Sequence, residues 1–124
     1  MAEPFVLRQE PIGEALEAVT PALTDAFVAV REAVADERPV VVLVDGADLL
    51  GQGASADAAV ATGLLGMIRT FAIEGAKPGW SVNLVASREG HEQEAEAAVA
   101  MLAASGLSGQ VIEVGTAHLG KVVP

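Results

Sequence analysis

Val40-Val41-Val42-Leu43-Val44 is an unbroken apolar run in which four of five residues are β-branched, with Asp36-Glu37-Arg38-Pro39 before it and Asp45 after it. A strand without polar alternation keeps neither face in water, and strands covered on both faces belong to parallel sheets flanked by helices. The surrounding sequence supplies those helices. Upstream, Leu23, Phe27, Val30 and Val34 recur at the spacing of one helical face. Thr20-Pro21 reads as an N-cap followed by proline at the first helical position, which predicts a helix over 21–35. Further upstream, Phe5-Val6-Leu7 fits a short strand, and Ile12 to Val19 holds helix-forming residues.

Downstream, Asp45 to Ser55 is rich in Gly and polar residues and reads as a loop, and 56–73 reads as a helix that is apolar all the way round. Val60, Leu64, Met67, Ile68 and Phe71 share one side; Ala58, Ala61, Leu65, Ala72 and Ile73 fill much of the rest. A helix lying on a sheet needs one apolar stripe, so two sides imply a second packing partner. Pro78-Gly79 is a turn, 81–86 a strand, 92–104 a helix with Glu92, Glu94 and Glu96 outward, and 111–114 a last strand. This alternation predicts one α/β domain over 1–124: a three-layer, Rossmann-like partial fold with a short parallel sheet of 3–4 strands, 3–4 helices and right-handed crossovers.

Composition narrows the function classes. The formal net charge of −10, with scattered Lys and Arg, opposes binding to phosphate backbones, so nucleic acid is not an expected partner. Zero cysteines and two distant histidines, His91 and His118, leave no basis for a metal site. No uncharged apolar run approaches the ~20 residues that span a bilayer, so no membrane is expected. The start, Met1-Ala2-Glu3-Pro4-Phe5, lacks the basic and apolar regions of a secretory signal, which makes the cytoplasm the expected compartment.

From Asp57 the sequence runs Asp57-Ala-Ala-Val-Ala61-Thr-Gly63-Leu-Leu-Gly66-Met-Ile-Arg69-Thr-Phe-Ala72-Ile-Glu74, then Gly79-Trp80-Ser81-Val82-Asn83. It resembles, without a gap, the pattern Tyr-x-x-x-Lys-Ala-Gly/Ala-Leu-x-Gly-x-x-Arg-x-x-Ala-x-Glu and Gly-x-x-Val-Asn of the short-chain dehydrogenase/reductase family. Ser108-Gly109-Gln110-Val111-Ile112-Glu113-Val114-Gly115 is similar to that family's late strand, and Leu23 to Val44 to the helix and strand leading to its catalytic serine. The resemblance covers roughly residues 20 to 116 and implies the C-terminal half of such a fold.

The same resemblance implies a degenerate site. Asp57 stands at the tyrosine position, Ala61 at the lysine position, and Val44 or Asp45 at the serine position. The tyrosine of such enzymes moves the substrate's proton and the lysine lowers its pKa; neither role can be filled here, and the dinucleotide-binding first half is missing. No catalytic residue and no cofactor are expected. What remains in the resemblance is assembly, since the helices matching 21–35 and 56–73 commonly form a four-helix bundle with a second subunit. Phe27, Val30, Leu64, Met67, Ile68 and Phe71 are then the expected interface residues, in a homo-oligomer or in a pairing with a full-length reductase.

An alternative is a residual NAD(P)- or small-ligand-binding site. Gly51-Gln52-Gly53-Ala54-Ser55-Ala56 formally matches G-x-G-x-x-A, and Arg88 beyond the next strand is placed to imitate a 2′-phosphate contact. Against it, Asp45 to Leu50 separate the glycines from the strand. Asp45, Asp48 and Asp57 flank the same loop, where aspartates commonly cap helices. Trp80, before a strand, reads as a core plug or interface anchor.

Overall fold

In the computed structural model, which describes residues 2–115, the run at 40–44 is the strand Val40–Asp45 (β2), inside a four-stranded, wholly parallel sheet. The other strands are Phe5–Arg8 (β1), Val82–Ser87 (β3) and Val111–Val114 (β4), in the order β1-β2-β3-β4. The helices are Val19–Ala35 (α1), Gly46–Leu49 (α2), Ser55–Glu74 (α3) and Glu92–Ser105 (α4). His118 lies outside the described residues.

Alternate residues of the central strands feed two separate cores. Val40, Val42 and Val44 of β2 join Val82, Leu84 and Ala86 of β3 beneath α1 and α3. Val41 and Val85 point the other way, beneath Ala95, Val99 and Leu102 of α4. This is the three-layer α/β arrangement that an all-apolar strand demands, because each pleat face needs its own cover.

The strands are added in one direction across the sheet, yet the first two connections cross the α1/α3 face and the third crosses the α4 face. The third βαβ unit therefore has the opposite hand to the first two, and uniform right-handedness does not hold. Its cause is coverage. The face opposite α1 and α3 carries Val6, Val41, Leu43, Val85, Ile112 and Val114, and α4 lies back over β2 and β3 as well as β4 to bury them. Arg8, on that same face of β1, reaches α4 and pairs with Glu96 at 2.7 Å.

Two local expectations are corrected. Thr20 is not an N-cap: α1 begins at Val19, a 3-10 turn at Leu16–Ala18 leads into it, and Ala18 at the cap position makes no side-chain cap bond. Pro21 still falls in the first turn, where a missing N–H is harmless. Asp45 to Ser55 is not all loop. Asp45 caps α2 by accepting from the Ala47 N–H at 2.8 Å, and the buried Leu49 anchors that turn to the core.

The two apolar sides of α3 find most of their cover inside the chain. Ala61 and Leu65 join the same core as Val60, Leu64, Ile68 and Phe71, with α1 and α2 both packed on α3. By length and mean hydropathy (1.4) α3 alone, among the described helices, would suffice to cross a membrane. It carries Asp57 and Arg69, however, and serves as the main core helix of the domain.

Candidate functional site

The chain leaves β2 toward α2 and α3 and leaves β3 toward α4, on opposite faces of the sheet. The crevice between the carboxyl ends of two such strands is where open α/β sheets hold ligands. Here it is an open depression of about 430 Å³ lined by Arg8, Gln9, Asp45, Ser87, Arg88 and Glu92, among others. Three of its charged groups already have partners. Arg8 pairs with Glu96, Arg88 donates from Nη1 to Gln52 Oε1 at 3.1 Å, and the Asp45 carboxylate caps α2. Among the described residues, no three His, Cys, Asp or Glu side chains are arranged to hold a metal ion.

Asp57, at the position where the resemblance places tyrosine, is only 8% exposed. Its Oδ1 accepts the Ile12 N–H at 2.7 Å and its Oδ2 accepts the Gly13 N–H at 3.1 Å. Both oxygens tie the segment after β1 to the start of α3, which gives this carboxylate a structural task. Ala61 is fully buried against the sheet side of α3, in the same core as Leu64 and Ile68.

The organising residue at this end of the sheet is Gln9, which the sequence reading passed over. Its Nε2 donates to the Asp57 carbonyl at 3.0 Å and to Asp48 Oδ2 at 3.2 Å, and its Oε1 accepts the Asp45 N–H at 3.1 Å. One amide thus joins three aspartates from three elements. A single glutamine after a short apolar run carries no pattern that would mark it.

The Gly51 and Gln52 amides are already engaged within the chain. The Gly51 N–H donates to the Asp48 carbonyl and the Gln52 N–H to the Ala47 carbonyl, so both close the end of α2. Gly51 has φ +72°, which explains glycine there, and a side chain at Gly53 would collide with the Asp48 carboxylate. Arg88 packs its stem against Gly46 and Gly115.

The Asp48 carboxyl titrates above the usual carboxylate range, first because it is partly buried and then because Asp45 and Asp57 are close, against a lowering by the Gln9 hydrogen bond. A carboxyl whose folded pKa is raised binds its proton more tightly folded than unfolded. Its charged form opposes folding at neutral pH, and the penalty fades as pH falls through the folded value. Asp48→Asn is therefore expected to raise the melting temperature at pH 7 and to lose that advantage as the pH approaches the carboxylate range. Melting curves of both proteins across this range check it; equal curves at pH 7 would contradict it.

A second feature lies on the outside of α1 and α3. A groove of about 410 Å³ is walled by Phe27 and Arg31 of α1, by Gly63, Met67 and Phe71 of α3, and by Trp80. Three of the chain's four aromatic rings meet there, with centroids 5.5 Å apart for Phe27–Phe71 and 6.1 Å for Phe71–Trp80. Gly63 lets Leu23 of α1 approach α3 closely, since a Cβ would meet both Leu23 methyls at 2.8 Å.

The six expected interface residues divide across this face. Val30, Leu64, Ile68 and Phe71 are buried in the domain's own core, so they can support an interface only from behind. Phe27 is 44% exposed and Met67 is half-buried in the groove wall. Ile73, which helical spacing placed off the main stripe, is 78% exposed beside the groove. No family model matches the chain, and a search of curated proteins finds no match.

Proposed function

We propose that this chain is a non-catalytic, cytoplasmic assembly domain, similar in scaffold to the C-terminal half of a short-chain dehydrogenase/reductase and self-associating through the outer face of α1 and α3. The observation that carries the reading is the character of the α3 side of that face; the α1 side also exposes Asp25, Arg31 and Glu32. Up to Ile73, the exposed positions of α3 are Ser55, Ala59, Thr62, Gly66, Thr70 and Ile73, with no charge among them, whereas a solvated helix presents charged residues, as α4 does with Glu92, Glu94 and Glu96. Small neutral side chains let a second helix come close.

Size supports the same reading. Helices of 17 and 20 residues lying side by side present a face on the order of 600 Å², close to the ~800 Å² per partner of a stable interface. Pairing with a full-length reductase through the same helices is the heteromeric form of this proposal.

Light scattering of the purified chain at micromolar concentration is expected to give the mass of a dimer or a larger homo-oligomer. A monodisperse monomer would count against self-association. Co-purification of an intact reductase from the native host would then favour the heteromeric form.

A further inference from the structure

We propose that the aromatic groove between α1 and α3 binds a free α-amino acid with an apolar side chain. Arg31 holds its carboxylate, Glu74 holds its ammonium, and Phe27, Met67, Phe71 and Trp80 receive its side chain. This assignment goes beyond the assembly proposed above and does not rest on it.

The groove, of about 410 Å³, has the size of a small-molecule site, and its lining side chains are apolar apart from Arg31, Thr70 and Glu74. The Thr70 hydroxyl is spent on its own helix, donating to the Gly66 carbonyl at 3.0 Å. Arg31 and Glu74, one on each helix, make no ion pair with each other or with any other described residue. Both helices run back from the carboxyl ends of a parallel sheet, so Arg31 and Glu74, each near the C-terminus of its helix, stand at the same end of the groove. Leu23 and Gly63 bring the helices into contact at the other end.

Those two charges select the occupant. The Arg31 guanidinium lies over the Phe27 ring at 5.7 Å, which holds it at the aromatic wall and leaves its N–H edge to a carboxylate. A ligand with a carboxylate alone would meet Glu74 and the −10 net charge of the chain, and one with an amine alone would meet Arg31. A zwitterion answers both walls and adds no net charge. Below the charges, Phe27, Phe71 and Trp80 form one continuous surface, with centroids 5.5 and 6.1 Å apart, and the flexible Met67 beside it adapts to side chains of different shape. An aromatic or branched aliphatic side chain fits that floor; a charged one does not.

Trp80 lines the groove and is the chain's only tryptophan, and there is no tyrosine, so its emission reports occupancy directly. Titrating the purified chain with L-phenylalanine is expected to shift Trp80 emission, saturating by the millimolar range, with a single-site isotherm in calorimetry. Hydrocinnamate, which lacks the ammonium, and phenethylamine, which lacks the carboxylate, should each bind about 10-fold more weakly. Glu74→Gln is expected to close the gap for hydrocinnamate and keep that for phenethylamine, and Arg31→Gln to do the reverse. A general loosening of the fold would not produce that crossed pattern. Neither emission shift nor heat at millimolar L-phenylalanine would overturn the assignment. Equal affinity for the three probes would overturn it too, by showing that the two charges recognise nothing.

Discussion

Asp57→Ala is expected to lower the stability of the fold by about 2–3 kcal/mol and its melting temperature by on the order of 10 °C. The loss comes from two charge-assisted hydrogen bonds, to the Ile12 and Gly13 N–H groups, made by a carboxylate that is nearly enclosed. Each donor sits in the segment between β1 and α1, and each loses its acceptor when the side chain is cut back. Asp57→Asn keeps one oxygen and turns the other acceptor into a donor facing an N–H, so it should recover little. Thermal unfolding of the two variants measures this. A loss below half a kcal/mol in Asp57→Ala would show that the segment after β1 is held by other contacts.

The placement of this aspartate also explains what the sequence could reveal of the site. Spacing from Gly63, Gly66 and Arg69 was enough to put Asp57 at the start of a helix near the strand ends. It could not show that Ile12 and Gly13, more than forty residues earlier, would supply the groups it binds. Gln9 was illegible for the same reason, since its value lies in reaching three aspartates brought together only by the sheet.

The fold was easier to read where a local pattern has only one packing solution. Val40 to Val44 needs cover on both faces, and a parallel α/β sheet provides it. Helical spacing is more ambiguous, because it groups residues by face without saying what the face meets. Val30, Leu64 and Ile68 face the sheet, and Ile73 stands in solvent. The hand of the last crossover was equally hidden. The buried stripe of α4, Ala95, Val99 and Leu102, would fit either face of a sheet whose strands are apolar on both.

One buried side chain helps fasten that last crossover to the sheet, and Asn83→Leu is expected to be as costly as any single change described here, about 2–3 kcal/mol. Asn83 is fully buried in β3. Its Oδ1 accepts the Gln110 N–H at 2.9 Å, and its Nδ2 donates to the Leu107 carbonyl at 2.8 Å. Leu107 to Gln110 is the segment that carries the chain from the end of α4 to β4, so this amide fastens the returning strand to its neighbour. Leucine matches the volume but leaves the Gln110 N–H without its acceptor, while the Leu107 carbonyl keeps only the hydroxyl of Ser81, which donates to it at 2.6 Å. Asn83→Asp separates the two halves of the effect. Its carboxylate can still accept from Gln110 but opposes the Leu107 carbonyl, and as a buried charge its folded pKa lies above the unfolded one. Stability should therefore be lowest at neutral pH and recover as pH falls and the carboxyl gains a proton to donate. Hydrogen exchange at Ile112 and Val114 should quicken in Asn83→Leu before exchange in β2 does, because β4 is an edge strand held through this segment. Uniform acceleration across β2, β3 and β4 would show instead that β4 and the sheet's centre open as one unit.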